Sequence, residues 1–304
     1  MLALALAALM AAPADTTDLP SYPGPVAHVE VDGRALAVYD GGGGGAPVVL
    51  VHGLGTNLSV WRGTIPALEA AGRRVVALDL PGYGLSDKAD VSGTMTDFAA
   101  AVVGTMDALG LRRSDVVGIS MGGQIALTLA LDHPDRVRRL ALLSPAGIET
   151  FTDAESATLK ALITPEAVQN TPPAQAAANT AANFYAYDEA RDGWILAQRE
   201  AVAAREDFPL YAAANAASVA GMLDGRVFER LGEIAAPTLV LYGTGDRLIP
   251  NPYLHPDLTT EAVAEAAGEA IPHAEVHLIP EAGHLVMLER PEAVHARLVQ
   301  FLGE

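Results

Sequence analysis

Asp115-Val116-Val117-Gly118-Ile119-Ser120-Met121-Gly122-Gly123-Gln124-Ile125-Ala126-Leu127 is the stretch that decides the fold. Asp115-Val116-Val117 reads as a strand and Gln124-Ile125-Ala126-Leu127 opens a helix. Between them Gly118-Ile119-Ser120-Met121-Gly122 matches G-x-S-x-G. A serine hydroxyl is a poor nucleophile until it is held clear of the backbone and given a base. A sharp strand-to-helix turn supplies the exposure, and it demands glycine two residues to either side, where a Cβ would clash. Ser120 is the candidate nucleophile.

Short continuous apolar runs recur on both sides of that turn: Val48–Val51, Val75–Leu78, Val116–Ile119, Leu140–Leu143, Leu239–Leu241 and Val276–Ile279. Such runs fit strands buried on both faces. Helical stretches lie between them, at Ser59–Ala71, Met95–Leu109, Met121–Leu131 and Pro291–Leu302. The alternation predicts an α/β fold with a mostly parallel sheet covered on both sides. His28–Val31 and Ala35–Tyr39 flank Asp32-Gly33 and read as a tight hairpin. The pattern breaks once, over 148–232, an Ala-rich segment punctuated by Pro165, Pro172, Pro173 and Pro209. It reads as a helical cap inserted over the carboxyl edge of the sheet, with 15–147 and 233–304 forming the core.

Composition narrows the function. Lys and Arg number 19 against 37 Asp and Glu, a net charge of −18, and a surface that negative repels phosphates, which disfavours a nucleic-acid partner. With no cysteine, thiol catalysis and Cys-ligated metals are excluded. Leu2 to Ala12 is an apolar run too short to span a bilayer, followed by Ala12-Pro13-Ala14. That pattern predicts a signal peptide over 1–14 and export to the periplasm or medium, with a cytoplasmic location as the alternative. No later stretch approaches the length of a transmembrane helix.

A nucleophilic serine needs a base, and a strand-end loop aims a side chain at the same sheet edge as Ser120. His284, in Pro280-Glu281-Ala282-Gly283-His284, follows the last apolar run and is the choice over His28, His133, His255, His273, His277 and His295. His273 and His277 lack the acidic or third imidazole partner a metal would require, so no metal site is expected there, and hydrolysis by a serine needs no metal or organic cofactor. The imidazole needs a carboxylate to fix its tautomer. Asp246, in Leu241-Tyr242-Gly243-Thr244-Gly245-Asp246, gives the order Ser…Asp…His and is preferred to Asp79, which sits in a turn-forming stretch. The tetrahedral oxyanion needs backbone N–H donors. Met121, beside the nucleophile, and Leu54, in Val51-His52-Gly53-Leu54-Gly55, are the candidates, with Gly53 competing for the second place.

With these residues placed, the chain resembles the α/β-hydrolase superfamily. The resemblance rests on His52-Gly53-Leu54-Gly55, Asp79-Leu80-Pro81-Gly82-Tyr83-Gly84-Leu85-Ser86, Gly118-Ile119-Ser120-Met121-Gly122-Gly123, Gly243-Thr244-Gly245-Asp246 and Gly283-His284. It implies an α/β-hydrolase fold with Ser120 as nucleophile, His284 as base, Asp246 as acid, and Leu54 and Met121 as the oxyanion hole. Members with an aspartate or cysteine nucleophile are excluded. Those with the acid after the next strand are excluded too, because that place reads Leu143-Ser144-Pro145. Asn251 to Ala270 adds about a helix between acid and base and is expected at the rim of the site.

The expected activity is cleavage of a small apolar carboxylic ester through an acyl-enzyme. Two alternatives keep the machinery, a carbon–carbon hydrolase of the meta-cleavage type and a prolyl-type aminopeptidase; a third is a non-catalytic ligand-binding member. The insert carries Phe151, Phe184, Tyr185, Tyr187, Trp194, Phe208, Tyr211 and Phe228. These rings either line an apolar pocket or form the insert's own core. Its Arg191, Arg199, Arg205 and Arg226 read as solvated helix faces.

Overall fold

Asp32 and Gly33 both take positive φ, 49° and 78°, which matches the right-handed twist of flanking strands. They join β1 (Ala27–Val31) to β2 (Arg34–Asp40) as an antiparallel hairpin in which Val31 pairs with Arg34. The structure is a computed structural model describing residues 22–303. The segment read as a signal peptide lies outside the described residues.

Six further strands follow: β3 (Pro47–Val51), β4 (Arg74–Leu78), β5 (Ser114–Ile119), β6 (Val137–Leu143), β7 (Thr238–Gly243) and β8 (Ala274–Ile279). They assemble in the order β1-β2-β4-β3-β5-β6-β7-β8, and every pairing from β4 to β8 is parallel. Alternate residues of the apolar runs enter two separate cores, as the two-residue period of a strand requires. Val49, Val51, Val76, Val116 and Leu142 pack on one face; Val48, Leu50, Val75, Val117 and Ala141 pack on the other. The first face is covered by α2 (Met95–Ala108), α3 (Met121–Asp132) and α9 (Thr260–Ala270), the second by α1 (Thr64–Ala70) and α11 (Pro291–Gly303).

One expected helix differs. The stretch 59–71 is split into a 3-10 turn at Leu58–Trp61 and the short α1. A continuous helix would bury Pro66 in its interior, against the carbonyl of Arg62. Restarting at Thr64 puts the proline in a first turn, where no N–H is needed.

The insert forms α4 (Asp153–Leu162), α5 (Pro165–Gln169), α6 (Pro173–Ala181), α7 (Glu189–Ala203) and α8 (Phe208–Asp224). Its prolines start helices rather than break them. Pro165 and Pro173 open α5 and α6, and Pro209 lies in the first turn of α8. Between β7 and β8, the stretch after Asn251 supplies α9, as expected from its length. The short α10 (Val286–Glu289), just past His284, was not legible as a helix. No helix among the described residues is long and apolar enough to cross a membrane.

Candidate active site

Ser120 sits between β5 and α3 with φ 55° and ψ −120°, a backbone that an L-residue adopts only when its surroundings enforce it. The enforcement comes from two sides. The Ser120 N–H donates to Leu143 O at 3.0 Å, and its carbonyl accepts from Gly123, Gln124 and Ala146. The flanking glycines leave no room for anything larger. A Cβ on Gly118 would lie 2.2 Å from Gly122 O, and one on Gly122 would lie 2.2 Å from Val51 O.

Asp246 and His284 reach the same edge from the loops after β7 and β8. His284 Nδ1 lies 2.8 Å from Asp246 Oδ2, with the two side chains 5% and 0% exposed. The other oxygen, Oδ1, accepts from Leu248 N at 2.8 Å and Ile249 N at 3.1 Å, so the carboxylate is oriented as well as buried. A carboxylate against Nδ1 selects the Nδ1–H tautomer and leaves the Nε2 lone pair available. Ser120, Asp246 and His284 all line one cavity of about 1410 Å³, together with Gly53 and Leu54. Among the described residues the Ser120 hydroxyl and His284 Nε2 have no hydrogen-bond partner, and both face that space.

The loop after β3 is held by His52. Its Nδ1 lies 2.8 Å from Gly53 O, while Leu80 N donates to Nε2 at 3.0 Å. Full burial pushes its pKa down to about 4, so the ring is neutral and structural. Gly53 O also accepts from Thr56 N and Thr56 Oγ1, which fixes the loop after β3 in a turn. The backbone N–H of Leu54 is left without a protein acceptor among the described residues. The same is true of Met121, the first residue of α3, as expected at a helix N-terminus.

Asp79, the competing carboxylate, is fully buried and fully engaged. It accepts from Leu58 N and Leu85 N, each at 2.8 Å, and from Tyr22 Oη at 2.6 Å, and it lies outside the cavity wall. Burial pushes its pKa up to about 6. Its role is to shape the turn, as read from the sequence.

Two expectations about the insert resolve residue by residue. Phe151, Phe208, Tyr211 and Phe228 line the cavity, whereas Phe184, Tyr187 and Trp194 pack onto the α1/α11 core. The pocket reading therefore holds for four of the rings, while these three serve neither a pocket nor a separate core of the insert and instead dock it on the main core. Arg191, Arg205 and Arg226 pair with Asp192, Asp207 and Asp153. Arg199 departs from the solvated-face reading and lines the cavity.

Sequence reasoning missed two further residues. His255, passed over as part of a Pro-rich insertion, forms the cavity wall with Nδ1 2.5 Å from Glu149 Oε1. Its partner lies 106 positions away, and no local pattern connects them. Glu289, buried at 5% exposure, accepts from Gly283 N at 2.6 Å, Tyr185 N at 2.9 Å and Ala186 N at 3.0 Å. It fixes the residue before His284 to the insert.

Fold and site together define the class. A family profile for the alpha/beta hydrolase fold matches residues 46–291, and the chain belongs to that family. It is 33% identical to the dihydrolipoyllysine-residue acetyltransferase component of the acetoin cleaving system of Pseudomonas putida, over 90% of this chain and 68% of that one. It is 32% identical to the 2-hydroxymuconate semialdehyde hydrolase of Pseudomonas sp. strain CF600, over 86% of this chain and 88% of the relative. Among solved structures, Est816, described as an N-acyl homoserine lactone degrading enzyme, superposes with a TM-score of 0.71 at 30% identity, over 90% of this chain and 99% of the other.

Proposed function

We propose that the protein is a serine hydrolase of small carboxylic esters that works through an acyl-enzyme. The observation that carries this reading is the His284–Asp246 pair at 2.8 Å, opening with Ser120 onto one cavity. Ser120 Oγ attacks the ester carbonyl as its proton passes to His284 Nε2, and Asp246 stabilises the imidazolium. The N–H groups of Leu54 and Met121 meet the oxyanion. Collapse returns the proton to the departing alcohol, and water, activated by the same histidine, releases the acid. Est816 is in keeping with the ester reading, because the compound it degrades contains a cyclic ester beside its amide.

The second reading, carbon–carbon cleavage, draws on the Pseudomonas sp. CF600 relative. The substrate in its name has no ester linkage, so its hydrolysis breaks a carbon–carbon bond. Turnover of a vinylogous diketone against nitrophenyl esters separates the two.

A fluorophosphonate probe should label the intact protein at Ser120 and leave Ser120→Ala unlabelled. Ser120→Ala should lower kcat by about 10⁶ and Asp246→Asn by about 10⁴, with folding retained. An intact protein as unreactive as Ser120→Ala would defeat the enzyme reading and leave a ligand-binding member of the fold.

A further inference from the structure

Seven large apolar side chains are exposed among the described residues, and four of them, Leu162, Leu248, Tyr253 and Leu258, line the cavity that holds Ser120 and His284. They come from two separate parts of the chain. Leu162, 65% exposed, ends α4 of the insert, while the other three belong to the stretch of the core between Asp246 and α9. Tyr253 is 91% exposed. Apolar residues scattered singly over a surface need no explanation, but a group gathered at one opening marks a contact site.

Tyr253 is held in place rather than left loose. Asn251 Oδ1 accepts from Tyr253 N at 3.0 Å and Leu254 N at 3.1 Å, and Asn251 O accepts from His255 N at 2.9 Å. The turn is anchored in its turn by Glu149, whose Oε1 takes Asn251 N at 2.8 Å and lies 2.5 Å from His255 Nδ1. Pro250, Pro252 and Pro256 fix φ at three further positions. An aromatic ring is thus presented to water on a preorganised loop, with little conformational freedom left to lose on contact. Tyrosine has an apolar body and a polar tip, the form suited to a boundary between water and lipid.

Charge and access limit what can cover these side chains. Arg226 is paired with Asp153, Arg247 is offset by Glu261 on the same cavity wall, and Asp257 stands exposed between Pro256 and Leu258. The opening therefore carries no excess of cations, and a net charge of −18 opposes contact with an anionic lipid surface. A partner protein seated on the four side chains would stopper the cavity through which Ser120 is reached, and a second copy of the chain would do the same. A lipid phase covers them and at the same time delivers an apolar ester to the cavity.

We propose that Leu162, Leu248, Tyr253 and Leu258 form a docking face for a lipid surface of no net charge, from which the ester passes directly into the cavity. The protein lies on such a surface rather than spanning it. The inference rests on the serine-hydrolase reading for turnover, while docking itself needs no chemistry.

Sedimentation of Ser120→Ala with phosphatidylcholine vesicles reads docking alone. That protein should bind, and adding either Tyr253→Ser or Leu162→Ser should weaken binding by about tenfold, whereas Tyr253→Trp should retain it. Vesicles containing phosphatidylglycerol should bind more weakly. With Ser120 intact, the rate on tributyrin should break upward where the triester exceeds its solubility and separates as its own phase, and Tyr253→Ser and Leu162→Ser should lose the break. The readout is the ratio of rates above and below that limit, because a merely damaged cavity wall would slow both alike and leave the ratio unchanged. Absence of vesicle binding, binding untouched by both serine substitutions, or binding to anionic vesicles alone overturns the proposal. So does a tributyrin rate that saturates smoothly through the solubility limit, and so does self-association in the ultracentrifuge that the serine substitutions abolish, which would make a second copy the occupant. Vesicle binding without turnover of any ester would instead sink the ester reading and keep the docking face.

Discussion

Glu289 offers the sharpest test of how the catalytic geometry is held. Its Oε2 takes the N–H groups of Gly283 and Tyr185, while Oε1 takes that of Ala186 and lies 3.8 Å from Arg191 Nη2. In Glu289→Gln the amide oxygen should settle where two donors meet, leaving the NH₂ facing Ala186 N and the guanidinium. Ala186 is exposed, so water can partly replace the lost acceptor and the cost is about 1 kcal/mol. Glu289→Ala strips all three donors, including the buried Gly283 N–H, and should cost about 3 kcal/mol. At about 2 °C per kcal/mol for a chain of this size, calorimetry should show Tm falling by roughly 2 °C and 6 °C.

The functional effect follows from position. Gly283 precedes His284 and is wedged so tightly that a Cβ there would lie 2.5 Å from Tyr185 N. Freeing this residue lets the imidazole drift, and a misplacement of about 1 Å costs on the order of 100-fold in rate. Glu289→Ala should therefore lower kcat by about 10- to 100-fold with KM little changed, and slow fluorophosphonate labelling of Ser120 in proportion. Stability lost without any change in kcat or labelling rate would refute the coupling. Full activity and unchanged Tm in both variants would refute the hydrogen-bond account itself.

Two further outcomes follow from the packing and charge of the core. Gly122→Ala would place its Cβ 2.2 and 2.5 Å from the carbonyl oxygens of Val51 and His52; a clash between backbones should cost at least about 2 kcal/mol and displace the oxyanion loop, read as lowered Tm together with lost ester turnover. Asp79 is protonated up to about pH 6 in the fold, against 3.8 for the free side chain. The folded state thus binds the extra proton between those values, and this group's contribution declines as pH rises from about 4 to about 6, by about 3 kcal/mol. Asp79→Asn removes that slope: urea unfolding at pH 4.5 and pH 7 should show the variant gaining relative to wild type at the higher pH, and an equal difference at both would refute the assignment.

The central sheet and the three strand-end residues were legible because each is written locally. A strand buried on both faces appears as an unbroken apolar run. Ser120 follows such a run directly, Asp246 and His284 stand in the short loops five residues after theirs, and the glycines around Ser120 mark the strained turn. The split at Arg62 and Gly63 is written as well, in Pro66, whose ring cannot sit inside a continuous helix over 59–71. What sequence could not show is which side of a buried helix faces packing and which faces empty space. Along α7, Ile195, Gln198 and Val202 are buried against protein, and Arg199, one position from Gln198, meets the cavity. Periodicity marks that stripe without distinguishing its two kinds of neighbour. The His255–Glu149 pair and the Glu289 tether were hidden for another reason, since their partners come together only when the insert docks on the core.

That docking is itself informative, because each candidate catalytic loop, or the element that directly continues it, is bonded to the insert. Beyond the oxyanion loop, Gln198 Nε2 donates to Ser59 Oγ at 2.8 Å. On the nucleophile helix, Gln124 Nε2 donates to the carbonyls of Met222 and Gly225, both at 2.9 Å. The acid's loop is held where Asn251 N donates to Glu149 Oε1 at 2.8 Å, and the base's loop where Leu285 N donates to Asn183 O at 3.2 Å. Each bond contributes only about 1 kcal/mol, yet they join four separately encoded segments to one helical layer. A cap that moved as a free lid would have to break all of them together. The geometry instead ties the insert and the candidate catalytic loops into one body, in which a change of packing within the insert reaches the candidate reacting groups through short polar links. Leu162, Leu248, Tyr253 and Leu258 line the cavity and are exposed, so the cavity reaches solvent at these residues without any opening of the whole layer.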